Sequence, residues 1–575
     1  MQKILLTVLF TICVSSAFAK SYDLEIKKQD MFITGKAVEA ITINGSIPGP
    51  TLRFKEGEDV VMNVKNSMDE TTSIHWHGIL LDGKFDGVPG LNGFHGIAPH
   101  TTFTYKFKIR QTGTYWYHSH SNLQEAQGAY GSIVIEPSKT KTDRDYVIVL
   151  SDFSEENPNK ILNNLKIDSG YYNYNKRTIF TFFSDIKKNG FSATLRDYMD
   201  WGSMRMDPTD LSDVTKYHFL VNGKTADQNW TEIFKKGERV KLRFINASAM
   251  TIYDVSIPGL KMKLVEADGQ PVKPTTIDEF RFGVAETYDV IVEPREEKAY
   301  TIFAESIDRT GYARGTLAPR MGMVGKIPPM RPRAVLTMAD MAMGGMDHST
   351  MKGMGNNDDV GDMPGMDHGK KMNDDKMNMK MEGMDHSAMG HDMSSMDHSA
   401  MGHDMSSMDM GGVSMAGMNM DDVKSGWAER GTPKGNKALE YSDLISLHPQ
   451  KDLRKPTREI EFKFGGSMNR YIWTINGEKF PAPTHLKYGE RVRLKFVNET
   501  MMAHPIHLHG MFMQLENGQS MKWMPNKHTV IVPPAQTISL LLTADEAGEW
   551  AFHCHLLLHM ASGMMTSVTV DKGGK

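Results

Sequence analysis

One pattern occurs three times along this chain, and it limits the fold more than any other feature. An Asn-Gly pair is followed by a Gly-Glu-x-Val step and then by alternating apolar residues that end in Asn. The copies are Asn44-Gly45 with Gly57 to Val60 and Asn66, Asn222-Gly223 with Gly237 to Val240 and Asn246, and Asn476-Gly477 with Gly489 to Val492 and Asn498. Stretches such as Val240-Lys-Leu-Arg-Phe-Ile245 and Val492-Arg-Leu-Lys-Phe-Val497 have the period of two of half-buried strands. Asn-Gly is a turn signal between strands. The chain is therefore predicted to be all-β, with three β-sandwich domains at 20–140, 141–337 and 422–575.

The closing strands repeat as well, but unequally. Gly113-Thr-Tyr-Trp-Tyr-His-Ser-His120 matches Gly548-Glu-Trp-Ala-Phe-His-Cys-His555, whereas the middle copy, Lys298-Ala-Tyr-Thr-Ile-Phe-Ala-Glu305, has neither His nor Cys. The middle domain is expected to keep the sandwich without ligands and to act as a spacer that sets the geometry of the outer two.

The N-terminus reads as a secretory leader over residues 1–19. Lys3 is the charged start, Ile4 to Val14 the apolar run and Ala17-Phe18-Ala19 the cleavage site. That run is too short for stable membrane insertion. No twin-arginine pair precedes it, and Ile12 disfavours a lipoprotein site at Cys13. The chain has 2 Cys, so removing the leader leaves Cys554 alone. An unpaired thiol in an oxidising compartment is a liability unless something occupies it, which points to a metal. The net charge of −4 offers no basic surplus for nucleic acid.

Residues 338–421 change composition abruptly. They carry about half of the 45 Met, with Gly, Asp, Ser and His and almost no aromatic or β-branched residues. Asp385-His-Ser-Ala-Met-Gly-His-Asp-Met-Ser-Ser-Met396 is repeated at once through Met408. Such a stretch has too little apolar area to offset its ordering entropy, so a disordered Met/His-rich insertion is expected. Thioethers beside imidazoles favour Cu(I), making additional Cu(I) on this segment a better expectation than a plain linker.

Four histidine clusters carry the chemistry: His75-Trp-His77, His118-Ser-His120, His504-Pro-Ile-His507-Leu-His509, and His553-Cys-His555-Leu-Leu-Leu-His559. On a strand, His553 and His555 share one face and Cys554 takes the other. One short segment can thus serve two metal centres. A thiolate, two imidazoles and a weak axial thioether form a blue-copper ligand set. Cys554, His504 and His559 fit it, with Met564 preferred over Met560 and Met565 as the axial candidate.

These clusters resemble the four copper motifs of the multicopper oxidase family, over most of the mature chain. The chain is especially similar to the bacterial copper-resistance members, through His553-Cys-His-Leu-Leu-Leu-His-Met560, the Met-Asp-His-Ser repeats and Met204-Arg-Met-Asp-Pro-Thr-Asp210. The resemblance implies cupredoxin-like Greek-key sandwiches and four copper ions. Cys554, His504, His559 and Met564 would hold the type 1 copper, and His75 and His507 the type 2 copper. His77, His118, His120, His509, His553 and His555 would hold the type 3 pair, between the first and third domains. It also implies O2 as the electron acceptor. Asp86 stands where the family has an acid near the trinuclear centre, as a proton relay or simply as a turn residue before Gly87. Many relatives place Glu where this chain has Met560.

Met501, Met502, Met511 and Met513 surround the motif that supplies His504, and Met521 and Met524 follow. With the Met/His segment they suggest Cu(I) as the reductant, although methionines also fill core gaps. A periplasmic cuprous oxidase is the favoured reading, with other copper-handling proteins as partners. A laccase-like oxidase of phenols and other small reductants is one alternative, and a copper-storing protein is another. A two-domain nitrite reductase needs no such set of cluster histidines.

Overall fold

The computed structural model describes residues 20–136, 142–204, 206–337, 340, 427–467 and 470–573. The leader, and the Met/His-rich segment apart from Asp340, lie outside the described residues.

Six sheets form three pairs. The first pair has two four-stranded sheets, the second two six-stranded sheets, and the third a six-stranded and a five-stranded sheet. The threefold repeat has a direct structural meaning. Val60, Val240 and Val492 lie at the start of the strands Asp59–Asn66, Val240–Asn246 and Arg491–Asn498. Each pairs in parallel with the first strand of its own unit, opposite Lys20, Arg144 and Arg458 respectively. The Asn-Gly pairs are the turns: Asn44, Asn222 and Asn476 have φ of 53°, 49° and 54°, each followed by a positive-φ Gly. That is the double left-handed conformation Asn-Gly favours.

The closing Asn of each repeat is buried and ties down the loop that follows. Asn66 Nδ2 donates to the carbonyls of Glu70, Ile97 and Ala98. Asn246 reaches Thr251 and Phe282, and Asn498 reaches Met502, Val532 and Pro533. In the outer units these loops lead into His75 and His504, so the repeat anchors the site.

The middle unit holds what the strand pattern did not show. Helices Pro158–Ile167, Ile179–Asn189 and Phe191–Ser203 separate its first two strands, Arg144–Phe153 and His218–Val221. They carry no period of two. After the Met/His-rich segment, Ala438–Leu439 adds to an edge of a middle-unit sheet, with Ala438 opposite Glu279. No helix among the described residues is long and apolar enough to cross a membrane.

Candidate metal centres

Ladder register brings the four clusters together. Within the first unit His75 lies opposite His118; within the third, His507 lies opposite His553 and Ile506 opposite Cys554. Successive residues of a strand face opposite sides, so Cys554 turns away from its two histidine neighbours. The short helix Leu557–Ala561 then brings His559 back towards the thiol. Its return is fixed by Met564, whose N–H donates to His559 O at 3.1 Å and whose carbonyl accepts from Cys554 N–H at 3.1 Å.

Cys554 Sγ lies 3.6 Å from His504 Nδ1 and 3.8 Å from His559 Nδ1, and the two Nδ1 atoms are 3.2 Å apart. The far nitrogens are occupied: His504 Nε2 meets Thr500 Oγ1 at 2.7 Å, and His559 Nε2 donates to Asp213 Oδ2 at 2.7 Å. Trp473 stacks on the His559 ring, with centroids 3.8 Å apart. Met564 is fully buried in the same core cluster as Cys554.

The other eight histidines gather where the first and third units meet. Their ligand atoms fall into three groups, each within 4.8 Å: His75, His77 and His507; His77, His118 and His555; and His120, His509 and His553. His75 stacks on His509 and His77 on His507, with centroids 3.7 and 3.8 Å apart. Outward-facing Nδ1–H groups donate to fixed acceptors. His75 donates to Asp86 O at 2.8 Å, His507 to His528 O at 2.7 Å, His553 to Cys554 O at 3.0 Å and His509 to Asp86 Oδ2 at 2.9 Å. His118 Nδ1 lies 2.6 Å from Glu125 Oε2. Such bonds select the tautomer whose Nε2 lone pair faces inward.

Burial, followed by the neighbouring imidazoles, holds His77, His118, His507 and His509 well below the ordinary histidine range. These rings are therefore neutral, as metal ligands must be. Burial also pushes the Cys554 thiol far up, because no protein cation among the described residues meets it. Burial lifts the Asp213 carboxyl to about 7, against the hydrogen bond from Tyr471.

The structure thus gathers every histidine of the four clusters into one of the two sites. Asp86 closes the 3₁₀ turn Gly83–Phe85, and its buried carboxylate accepts from His509 Nδ1 at 2.9 Å. Sequence reasoning missed Asp213, Glu125, Thr500, His528 and Asp268. Asp213 lies just past the Met204–Asp210 motif, the one signal that could have found it. Asp268 Oδ2 accepts from the backbone N–H of both His528 and Thr529 at 3.0 Å. The middle unit supplies Asp213 to His559 and Asp268 to the backbone that precedes the eight-histidine cluster's strand partner, as a unit setting the geometry of the outer two would. Met502, Met511 and Met513 are core members, which favours gap filling for them. Met501 sits apart, in a small cluster with Trp201, Leu211 and Ala428. Met524 is buried and Met521 half-buried.

Paired sandwiches, a Cys/His₂ cluster and an eight-histidine cluster define a copper-dependent oxidoreductase. The chain belongs to the multicopper oxidase family: family models described as multicopper oxidase match residues 25–140, 189–320 and 454–574. It is 50% identical over 573 residues to Copper resistance protein A of Escherichia coli, covering 96% of this chain and 92% of that protein. It is 48% identical over 560 residues to the Copper resistance protein A homolog of Pseudomonas syringae pv. tomato, with the same coverage. Its fold resembles that of the laccase from Botrytis aclada, with a TM-score of 0.62 at 19% identity, over 97% of this chain and 89% of that one.

Proposed function

We propose that the protein is a periplasmic cuprous oxidase of copper resistance, coupling oxidation of Cu(I) to Cu(II) with reduction of O2 to water. Carrying this reading are the inward nitrogens of the eight-histidine cluster. His75 Nε2, His77 Nδ1, His118 Nε2, His507 Nε2 and His555 Nε2 are buried without a hydrogen-bond partner among the described residues. Each such group costs about 1–3 kcal/mol when unpaired, and metal binding removes that cost. The donor sets therefore fit copper.

Cys554, His504, His559 and Met564 would hold the type 1 ion, and His75 and His507 the type 2 ion. His77, His118 and His555 would hold one type 3 ion, and His120, His509 and His553 the other. When bound, the four coppers supply one-electron exchange and the four-electron reduction of O2. The chain's own contribution is connection, orientation and exclusion of water. Cys554 is covalently joined to His553 and His555, so the two sites share one short stretch of backbone. Asp213 and Thr500 orient the thiol-side imidazoles. Asp86 orients His75 and His509 from the first unit, and its carboxylate is placed to pass protons inward.

Cu(I) is favoured as the reductant by the Met/His repeats at 338–421 and by the two relatives named for copper resistance. The leader sequence favours the periplasm. The test compares the mature chain with a variant lacking 338–421 in oxygen uptake on Cu(I) and on a phenol. The reading predicts that the deletion raises the KM for Cu(I) and leaves phenol turnover intact. Equal loss on both substrates counts against it.

A further inference from the structure

Seven of the eight clustered histidines are buried, while His120 is half-buried. His120 borders a cavity of about 360 Å³ that Met560 and Met565 also line. Both methionines are half-buried. Met560 comes from the helix Leu557–Ala561. Met565 opens the last strand, directly across the ladder from His553, and opposed residues on paired strands share a face. His553 Nε2 is in turn 3.4 Å from His120 Nε2 and 3.2 Å from His509 Nε2. Much of the remaining wall is apolar, including Leu123, Leu162 and Phe480, and among the described residues no carboxylate lines it.

Two thioethers and an imidazole form a soft, neutral donor set. It suits Cu(I), whereas hard cations seek oxygen ligands. We propose that this cavity is a loading port, where Met560, Met565 and His120 capture Cu(I) in the metal-free protein and pass it to the trinuclear cluster. His120 belongs to both donor sets. Transfer inward exchanges the thioethers for the His509 and His553 nitrogens, and the copper stays Cu(I) with no electron moved. The inference rests on the trinuclear reading of the eight histidines.

The test follows copper uptake by the metal-free mature chain under anaerobic conditions, from acetonitrile-stabilised Cu(I) and separately from Cu(II). Wild type is compared with M560L/M565L, a swap that keeps apolar volume. Copper per chain is measured after rapid desalting, and the type 3 near-ultraviolet absorption after reoxidation. The double variant should fill its trinuclear site from Cu(I) at least about tenfold more slowly, the scale of ligand-shell losses. Its uptake from Cu(II) should match wild type. M560E, which places a hard oxygen donor in the port, should also be slower with Cu(I). Equal Cu(I) rates in wild type and both variants overturn the port alone. A wild-type chain that fills no trinuclear site from either ion overturns the underlying assignment instead.

Discussion

Asp213 Oδ2 accepts a hydrogen bond from His559 Nε2 at 2.7 Å and a second from Tyr471 Oη at 2.8 Å. This contact joins a segment of the middle unit to a ligand-bearing helix of the third. All three groups are buried, so the carboxylate fixes the imidazole orientation where water cannot substitute.

Replacing Asp213 by Ala should free the His559 ring and weaken type 1 copper retention about 10–100-fold, the usual cost of losing such a partner. Asp213→Asn keeps an acceptor and should retain most of it. Chelator competition, followed through the blue thiolate–copper absorption, checks both. An Ala variant that holds copper like wild type would show that the contact is incidental.

Lys527 ties the other site to the middle unit. Its ammonium lies 3.1 Å from Asp268 and 2.8 Å from Glu286, with all three side chains inaccessible. Asp268 supports the backbone of His528, whose carbonyl accepts from His507. Lys527→Met leaves two buried acids without their cation, a loss of about 3–5 kcal/mol. The metal-free variant should melt earlier, and its type 2 copper signal in electron paramagnetic resonance should weaken. Unchanged melting would contradict this account of the interface.

Asp254 predicts a pH dependence. Burial opposes its charge, but the Arg281 and Arg309 guanidiniums outweigh burial and hold the carboxyl well below the usual range. Arg309 Nη2 approaches at 2.6 Å and Arg281 Nε at 2.8 Å. In the unfolded chain Asp titrates near about 3.9. The stabilisation is therefore full above that value and is lost as pH falls below it, because the unfolded state takes up the proton first. Asp254→Asn should cost about 3–5 kcal/mol at neutral pH. Its deficit against wild type should shrink below about pH 4. Denaturant midpoints of the metal-free proteins at both pH values measure it, and a deficit independent of pH would rule the ion pair out as the cause.

What could be read in advance was local and periodic. The strands at Val60, Val240 and Val492 and the Asn-Gly turns before them follow from a repeat visible in the letters, whereas their parallel pairing is not written there; His-x-His on a strand places both rings on one face. The supporting groups were hidden for a physical reason. Asp213 and Asp268 act across long sequence separations, and a lone acid such as Glu125, although near His118 in the chain, has no spacing that marks it. The helices before His218 have no period of two, so the pattern that marks the strands does not mark them. For Met502, Met511 and Met513 the sequence left gap filling beside a hint of Cu(I), and their place in the core favours gap filling, since sequence proximity to a ligand does not determine which way a side chain turns.

The most direct test of the central claim is oxygen uptake by the copper-loaded mature protein on adding anaerobically prepared Cu(I), against a Cys554→Ser control. The account predicts sustained uptake, four Cu(I) oxidised per O2, that disappears in the control. Copper bound without turnover would contradict it and leave a copper-storing protein in place of a cuprous oxidase.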